Sequence, residues 1–302
     1  MRESNFHFPS TNKACVSITS ALYDRRALDC TADLPLVNSL SHLNYLTSSS
    51  ARIREILTTD GGLERLVRIL RTTRVTEDTL HNWKWTMAFQ CVVNVGVRGT
   101  TDIRQRVVQV GAVPILVEIL HAYSDVTAQG AHVAIPGTHM PYNSNAYLYS
   151  EQERLQAEYD AARRRLQAIN HVMYRHDDVV LTLQLLAYLT KTPSQRQLLH
   201  ECPLLSAHIR IPSGTDVERF TVQRAFPSDM VYWSAIVMRN SCRRDEARNN
   251  CRQCAYLKCQ KWEVRQNEFA KCRRCRKAKY CSKSCQSKAW QEGHRNWCSE
   301  RN

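Results

Sequence analysis

The chain has 302 residues, a formal net charge of +14 and thirteen cysteines. Its length favours two domains, and the sequence contains no apolar run of the 18 or more residues that a membrane span requires. Because the polar stretch Met1–Lys13 does not have the pattern of a secretory signal, we expect a soluble intracellular protein whose cysteines bind metal instead of forming disulfides.

An internal repeat organises the first half of the chain. The stretch that begins at Arg52 matches the stretch 50 residues later, and the offset stays constant through both copies. Each copy predicts a short helix, a glycine turn at Gly61 or Gly111, and an amphipathic helix. Longer helices are predicted before the two copies, at Leu34–Leu46 and His81–Val97.

The repeat resembles the armadillo repeat, and Thr101–Leu120 is its best match. A weaker third copy is expected from Asp178 to Cys202, with Val179–Leu189 as its buried helix. Such repeats bury their apolar faces only by stacking, and about three units are needed for stability. We therefore predict a mostly α protein with an armadillo-like helical solenoid over residues 1–240.

Two segments of the solenoid depart from the repeat. His121–Ser150 contains several glycines and prolines and predicts an inserted loop. Phe220–Arg239 carries large apolar side chains and is expected to cover the end of the solenoid. A separate zinc finger is predicted to follow over residues 241–302.

Metal-ligand pairs dominate the last part of the chain. Short spacing between two cysteines lets both sulfurs reach one zinc ion, and two such pairs complete a tetrahedral site. Four pairs are therefore enough for two Zn²⁺ ions, and they leave no open coordination position, which predicts structural and not catalytic zinc. The pairs are Cys254 and Cys259, Cys272 and Cys275, Cys281 and Cys285, and His294 and Cys298.

This array resembles the MYND zinc finger. The resemblance rests on the last three pairs, the Tyr280-Cys281 step, and Trp290. It implies an interleaved arrangement in which the first and third pairs share one zinc and the second and fourth pairs share the other. It also implies that Gln286 and Trp290 line a shallow groove for short Pro-containing peptides, although Trp290 is equally suited to filling the small core.

The first pair has an alternative. Cys251 and Cys254 also have zinc-ligand spacing. We prefer Cys254 with Cys259, because the Cys259-Gln260 step lies where the family has Cys-Gly and because the loop to Cys272 then has a more typical length. The sequence leaves Cys251 open as an alternative ligand.

Positive charge is concentrated in the finger. Residues 243–302 contain 17 lysines and arginines against 6 acidic residues, a formal charge of +11, and Arg273–Lys279 is the densest run. Part of this charge offsets zinc-bound thiolates, and the remainder suits protein docking or nucleic-acid contact. Sequence-specific DNA binding is not expected, because no helix presents base-reading side chains at the spacing of a C2H2 finger.

Beyond the finger, the chain resembles the fungal samB-like MYND-finger proteins. The resemblance is carried by the segments Tyr23–Cys30, Ser50–Leu70, Trp85–Gly99, Glu218–Ala225, Trp233–Cys242 and Phe269–Cys285. It implies a cytoplasmic, non-catalytic adaptor that assists a RING-type ubiquitin ligase and acts in fungal morphogenesis, including growth polarity and the onset of conidiation. The long Ser/Pro-rich segment expected in larger members is not visible here.

Two other functions are alternatives to an adaptor. A transcriptional regulator or corepressor would act through the basic finger. An enzyme would be either a methyltransferase, for which the sequence has no SET-like motif, or a direct RING-like ligase. The ligase would need an apolar surface in Gln260–Lys271, which is mostly polar. No catalytic residue is predicted.

Overall fold

The computed structural model describes residues 23–73, 78–128, 174–196 and 216–299. These residues form a mostly helical solenoid followed by a small finger. The finger contains an antiparallel pair of two-residue strands in which Ala270 lies opposite Tyr280. The predicted fold class is therefore confirmed.

The helices and strands have the following bounds, in chain order. They are α1 Asp33–Ser49, α2 Ala51–Thr59, α3 Gly62–Thr72, α4 Thr79–Arg98, α5 Thr101–Gln109, α6 Ala112–Ala128, α7 His176–Leu189, α8 Asp216–Arg219, α9 Ser228–Ser241, β1 Ala270–Lys271, β2 Lys279–Tyr280, α10 Lys283–Ala289 and α11 Arg295–Trp297. A π-helical turn, Trp290–His294, joins α10 to α11.

The 50-residue repeat is confirmed in the backbone. Gly61 and Gly111 both adopt left-handed conformations, with φ of 86° and 82°, and each turns the chain from a short helix into the next one. This region of backbone space favours glycine because it has no Cβ. The short helices also begin alike, since the Ser50 and Thr100 hydroxyls each accept a hydrogen bond from the backbone N–H three residues later.

A recurring arginine caps the longer helix of each unit. Arg54 donates to the Thr47 carbonyl near the end of α1 at 2.7 Å, and Arg104 donates to the Gly96 carbonyl near the end of α4 at 3.0 Å. Arg196 binds the carbonyl that follows α7 at 2.9 Å. Carbonyls at the C-terminal end of a helix have no partner within the helix. A cation there donates hydrogen bonds to them and interacts favourably with the negative end of the helix dipole. This shared device supports the weaker third repeat.

Stacked helices bury one continuous apolar cluster. Helix α4 lies at its centre and packs against α1, α3 and α7. Trp85 and Phe89 of α4 stack with ring centroids 5.0 Å apart, and both are buried. Leu183 and Leu185 of α7 are also fully buried in this cluster, as predicted for the third repeat.

The predicted inserted loop requires a correction. Helix α6 continues through residues 121–128, so this part of His121–Ser150 is helical. Tyr123 lies with its ring centroid 6.0 Å from that of Phe220, and Ser124 is buried, so the helix gains packing partners that the local sequence does not reveal. The remainder of the predicted loop lies outside the described residues.

Helix α9 joins the solenoid to the finger. Asn240 donates to the Ala187 carbonyl at 2.9 Å, while Ala235 and Met238 pack into the apolar cluster of the finger. Phe220 and Met230 are buried against the solenoid, as expected for a segment that covers its end. The boundary at residue 240 stays a prediction, because α9 contributes to both clusters.

Within the described ranges, no single helix combines the length and apolar composition of a membrane span. Helix α5 and the first part of α6 reach that composition only together, and they are bent by 73°.

The arginine caps predict a measurable difference between two neighbouring arginines. Replacing buried Arg54 by Met leaves the Thr47 carbonyl without its charged donor and should lower the free energy of unfolding by about 1.5–3 kcal/mol. Arg52→Met is the control, because Arg52 is exposed and its ion pair with Glu55 is worth at most about 1 kcal/mol. Urea denaturation followed by circular dichroism measures both variants. Equal losses would show that the cap contributes nothing specific.

Candidate metal centre

Four cysteine sulfurs converge at the first site. Cys259 ends a short 3-10 turn, Cys281 follows β2, and Cys285 lies in the first turn of α10. The Ser282 hydroxyl caps this helix by accepting a hydrogen bond from the Cys285 backbone N–H at 3.1 Å. With Cys254, these residues form a group whose ligand atoms all lie within 4.8 Å of one another.

A second group joins the other two predicted pairs. Cys272 and Cys275 flank the turn between the two strands, and His294 and Cys298 lie on either side of α11. Their ligand atoms also lie within 4.8 Å of one another. The structure thus brings together the first with the third pair and the second with the fourth.

Distances within both groups fit tetrahedral zinc. Zinc–sulfur bonds of about 2.3 Å place the sulfurs of a tetrahedron about 3.8 Å apart. The Cys259–Cys281 and Cys281–Cys285 sulfur pairs are 3.5 Å apart, and the Cys272–Cys298 pair is 3.9 Å apart. A disulfide would need about 2.05 Å. Soft thiolates with one imidazole are the ligands zinc prefers, so the residues fit two zinc ions, as predicted.

The protonation state of each ligand decides whether zinc must displace a proton to bind it. Burial raises the pKa of the Cys254 and Cys298 thiols to about 12. Burial also tends to raise the pKa of Cys272, but hydrogen bonds, led by those from the backbone of Cys275 and Arg274, outweigh it and lower this pKa. Burial lowers the pKa of His294 to about 4, so its imidazole is neutral at pH 7 and can donate a lone pair. Zinc must therefore displace protons from thiols, and not from the histidine.

Aromatic rings set the orientation of His294. Trp297, Trp290 and Tyr280 surround the imidazole, with ring centroids 4.2, 5.8 and 5.9 Å away and edge-to-face geometry. The Nε2 atom lies 3.4 Å from the Cys272 sulfur, which matches a tetrahedron edge. Among the described residues the buried Nδ1 atom has no hydrogen-bond partner, so packing holds the ring.

Cys251 lies outside both groups. It is buried and forms an isolated β-bridge with Asp245, while Cys259 provides the fourth sulfur of the first group. The structure therefore places the preferred residue, and not the alternative, at the metal site.

A buried ion pair ties the loop before β1 to β2. The Lys279 ammonium lies 3.0 Å from the Glu263 carboxylate, and both side chains are 1% exposed. Burial tends to raise the pKa of Glu263, but hydrogen bonds from Lys279 and from the Phe269 and Arg252 backbone N–H groups hold it below its ordinary value. Lys279 therefore does not belong to the exposed basic run in which the sequence placed it.

The two predicted groove residues lie on one helical face. Gln286 is half-buried in α10, and Trp290 is 36% exposed one turn later. Trp297 and not Trp290 fills the apolar core of the finger, since Trp297 is 3% exposed and belongs to its buried cluster. Peptide contact by Gln286 and Trp290 stays a prediction.

Glu218 lies against the second site, a position that the sequence does not predict. Its carboxylate accepts a hydrogen bond from the Trp297 indole at 2.9 Å. It also lies so close to Gly293 that a Cβ there would be 2.4 Å from the carboxylate. A solenoid residue thus contacts the finger beside ligands His294 and Cys298. No sequence signal marks this contact, because its partners are about 80 residues apart.

A second concave surface lies between α1 and α4. It is a cleft of about 440 Å³ lined by uncharged side chains, among them Asn44, Tyr45, Gln90 and Asn94. Asn94 donates to Asn44 at 2.8 Å, and Asn44 donates to Gln90 at 2.7 Å. Tyr45 is 68% exposed beside this chain of amides. Asn44 and Asn94 occupy equivalent positions in the 50-residue repeat.

Comparison with known proteins agrees with the geometry of the finger. The sequence model of the MYND finger family matches residues 257–298, so the C-terminal unit is a MYND finger. Over 99% of this chain, the sequence is 27% identical to the MYND-type zinc finger protein samB of Emericella nidulans and to that of Aspergillus fumigatus. The alignments cover 100% and 99% of those relatives, and a Neosartorya fischeri samB is 28% identical with 99% of each chain covered.

These alignments also show a difference in length. The alignment to the Emericella nidulans protein extends over 591 residues, whereas this chain has 302. About half of the aligned positions therefore have no counterpart here, in agreement with the compact form expected from the sequence.

Solved structures add little to the fold assignment. The designed armadillo repeat protein YIII(Dq)4CqI is 17% identical, with 72% of this chain and 80% of that chain covered, and the TM-score is 0.36. An engineered protein, Northeast Structural Genomics Consortium Target OR329, is 14% identical with a TM-score of 0.39, and 78% of this chain and 82% of that chain are covered. The fold assignment rests on the repeat geometry of the chain itself.

Zinc content distinguishes ligands from other cysteines. Cys259→Ser and Cys275→Ser should each reduce the bound zinc from two ions to one, since each removes one of four ligands from a different group. Cys251→Ser is the matched control and should keep both ions. Elemental analysis of the purified variants measures the ratio. Zinc loss in the Cys251 variant alone would contradict the ligand assignment.

Chelation tests the independence of the two units. Removing zinc should unfold the finger, because metal binding supplies its folding free energy, while the solenoid keeps its helices. Circular dichroism should then lose only a small part of its helical signal. Fluorescence of Trp262, Trp290 and Trp297 should shift toward that of exposed indoles. Loss of most helical signal would contradict a separately folded solenoid.

Zinc affinity should fall as the pH is lowered. The thiols with pKa raised to about 12 are protonated at pH 7 in the metal-free protein, so added protons compete with zinc. Each displaced proton contributes about a tenfold change in affinity per pH unit. Competition with a chelator of known pH dependence, between about pH 6.5 and about pH 7.5, measures the slope. A flat profile would contradict proton displacement.

Proposed function

We propose that this protein is a non-catalytic zinc-binding adaptor that helps a RING-type ubiquitin ligase in the cytoplasm to recruit substrates. Its role is in fungal morphogenesis, including growth polarity and the onset of conidiation. A MYND finger combined with armadillo-like repeats supports the general part of this proposal, because both are protein-interaction units. The resemblance to samB proteins over nearly the full chain motivates the specific part.

The closed metal centre carries the proposal. Each group supplies four protein ligands, and four-coordinate zinc of this kind keeps no position for water or substrate. Zinc in the finger therefore supports structure. What the finger offers to other molecules is its surface, above all the exposed ring of Trp290 beside Gln286.

The cleft between α1 and α4 is a second surface suited to a partner. Its size lies within the range of ligand pockets. Primary amides such as those of Asn44, Gln90 and Asn94 donate and accept hydrogen bonds, as the main chain of a peptide does. The exposed Tyr45 ring adds apolar area beside them. An adaptor with two such surfaces can hold a ligase and a substrate together.

Direct ligase activity is disfavoured by the loop over Gln260–Lys271. Phe269 is buried, and Trp262 is half-buried with the Arg248 guanidinium 4.5 Å from its ring centroid. Val264 is the only one of its three large apolar side chains that is largely exposed, at 84%. One valine is a small surface for docking a ubiquitin-conjugating enzyme, so we favour an adaptor that acts beside a ligase.

The alternative function is that of a transcriptional regulator or corepressor. The formal charge of +11 on residues 243–302 motivates it. Nucleic-acid binding through this charge would weaken steeply as salt concentration rises. Recovery of chromatin in the experiment below would favour this alternative.

Affinity purification from native cells tests the adaptor. The full-length tagged protein, its Cys275→Ser variant and its Cys30→Ser variant are compared by mass spectrometry. Cys30 lies in the solenoid, away from both metal groups, so it controls for loss of a cysteine. A RING-type ligase and its conjugating enzyme should copurify with wild type and Cys30→Ser and be depleted with Cys275→Ser. Recovery of transcription factors without a ligase would overturn the proposal.

A further inference from the structure

The turn between β1 and β2 presents an unusual density of positive charge. Five basic side chains are exposed around Cys272 and Cys275, and we call them the basic knuckle. They are Lys271, Arg273, Arg274, Arg276 and Lys277.

The charge of the second metal site does not cancel the basic knuckle. Three thiolates and one Zn²⁺ sum to a charge of −1, since a histidine binds zinc as a neutral imidazole. The knuckle carries five positive charges. Even without Arg274, which interacts with other groups, a net excess of about three positive charges remains, which attracts an anionic partner.

Three acidic side chains of the finger have partners outside the knuckle. Glu263 pairs with buried Lys279, Glu292 pairs with Lys258, and the Glu268 carboxylate accepts backbone hydrogen bonds. In the described part of the chain, none of the four knuckle residues other than Arg274 forms an ion pair with a carboxylate. These four charges are thus available for a partner.

Arg274 connects the knuckle to the predicted groove. Its guanidinium lies 5.9 Å from the centroid of the Trp290 ring, which is a cation–π contact. His294 packs edge-to-face against the same tryptophan at 5.8 Å. Stacking of a nucleic-acid base needs an open ring face. These contacts restrict the Trp290 face against flat stacking of a base, whereas a peptide side chain can still contact the 36% of the residue that is exposed. The geometry therefore favours a peptide over a nucleic acid.

We propose that the basic knuckle binds acidic side chains that flank the Pro-containing core of a partner peptide, while Trp290 and Gln286 contact the core. The inference rests on the proposed adaptor function and on the predicted peptide groove of the finger, and it specifies the charge of the ligand. The proposed partner is a segment of another protein that carries Asp or Glu next to a Pro-containing stretch.

Three synthetic peptides test this inference with the 302-residue protein. All share one Pro-containing core and a fluorescent label, and they differ in having three Glu, three Gln or three Lys on each side. Fluorescence polarisation at low salt should show about tenfold tighter binding of the Glu peptide than of the Gln peptide, and weaker binding of the Lys peptide. The preference should shrink as salt is added.

Two matched triple variants test whether the basic knuckle causes the preference for the Glu peptide. The knuckle variant carries Arg273→Gln, Arg276→Gln and Lys277→Gln. The control carries Lys261→Gln, Arg265→Gln and Lys283→Gln, which remove the same charge from exposed positions outside the knuckle. The knuckle variant should lose about fivefold of the Glu preference, and the control should retain it. Two bound zinc ions per chain confirm that each variant is folded.

The outcomes separate this inference from the proposed function. Equal binding of Glu and Gln peptides, weakened by Trp290→Ala, would overturn the acidic preference and leave the peptide groove in place. Absence of binding to every peptide would contradict both the predicted peptide groove of the finger and the inference that rests on it. Knuckle-dependent binding of labelled single-stranded or duplex DNA that exceeds binding of the Glu peptide would overturn the inference in favour of a nucleic-acid surface.

Discussion

Tetrahedral coordination by seven thiolates and one imidazole is the constraint on which the finger depends. Strands of two residues and helices of one or two turns cannot hold a fold by themselves, and the buried cluster around Tyr280 and Trp297 is small. Interleaving of the ligands links the ends of the finger, because each group combines an early pair with a late pair. The buried pair of Glu263 and Lys279 adds a polar link between the loop and β2.

The finger is also tied to the solenoid, which places its surfaces relative to those of the repeats. Met238 packs into the finger core, and Trp297 donates to Glu218. Because the two units enclose this carboxylate, burial raises the pKa of Glu218. Arg196 extends the link, since it binds the Arg244 carbonyl at 2.8 Å as well as the end of α7. A partner held by one unit therefore has a defined position relative to the other.

Local sequence was a good guide to the repeat and to the metal ligands. Gly61 and Gly111 marked the turns because the backbone there needs a left-handed conformation that other residues avoid. Cysteine spacing identified the ligand pairs because zinc limits how far apart two ligands of one turn can lie. The interleaved partners came from resemblance to the MYND family, and the Cys251 alternative was resolved only by the position of Cys259 in space.

By itself, the sequence determined the fold class, two zinc ions and an excess of positive charge, because periodicity, ligand spacing and composition are local properties. Tertiary structure decided which charges face solvent and which residues join the units. The sequence places Lys279 in an exposed basic run, yet it is buried because it pairs with Glu263. The sequence predicts a loop over residues 121–128, yet they are helical, and Tyr123 packs against Phe220. Glu218 lies in a segment that carries the family resemblance, yet nothing in that segment indicates its hydrogen bond with Trp297 beside the second metal site. Burial and pairing depend on residues distant in the chain, and no local pattern encodes them.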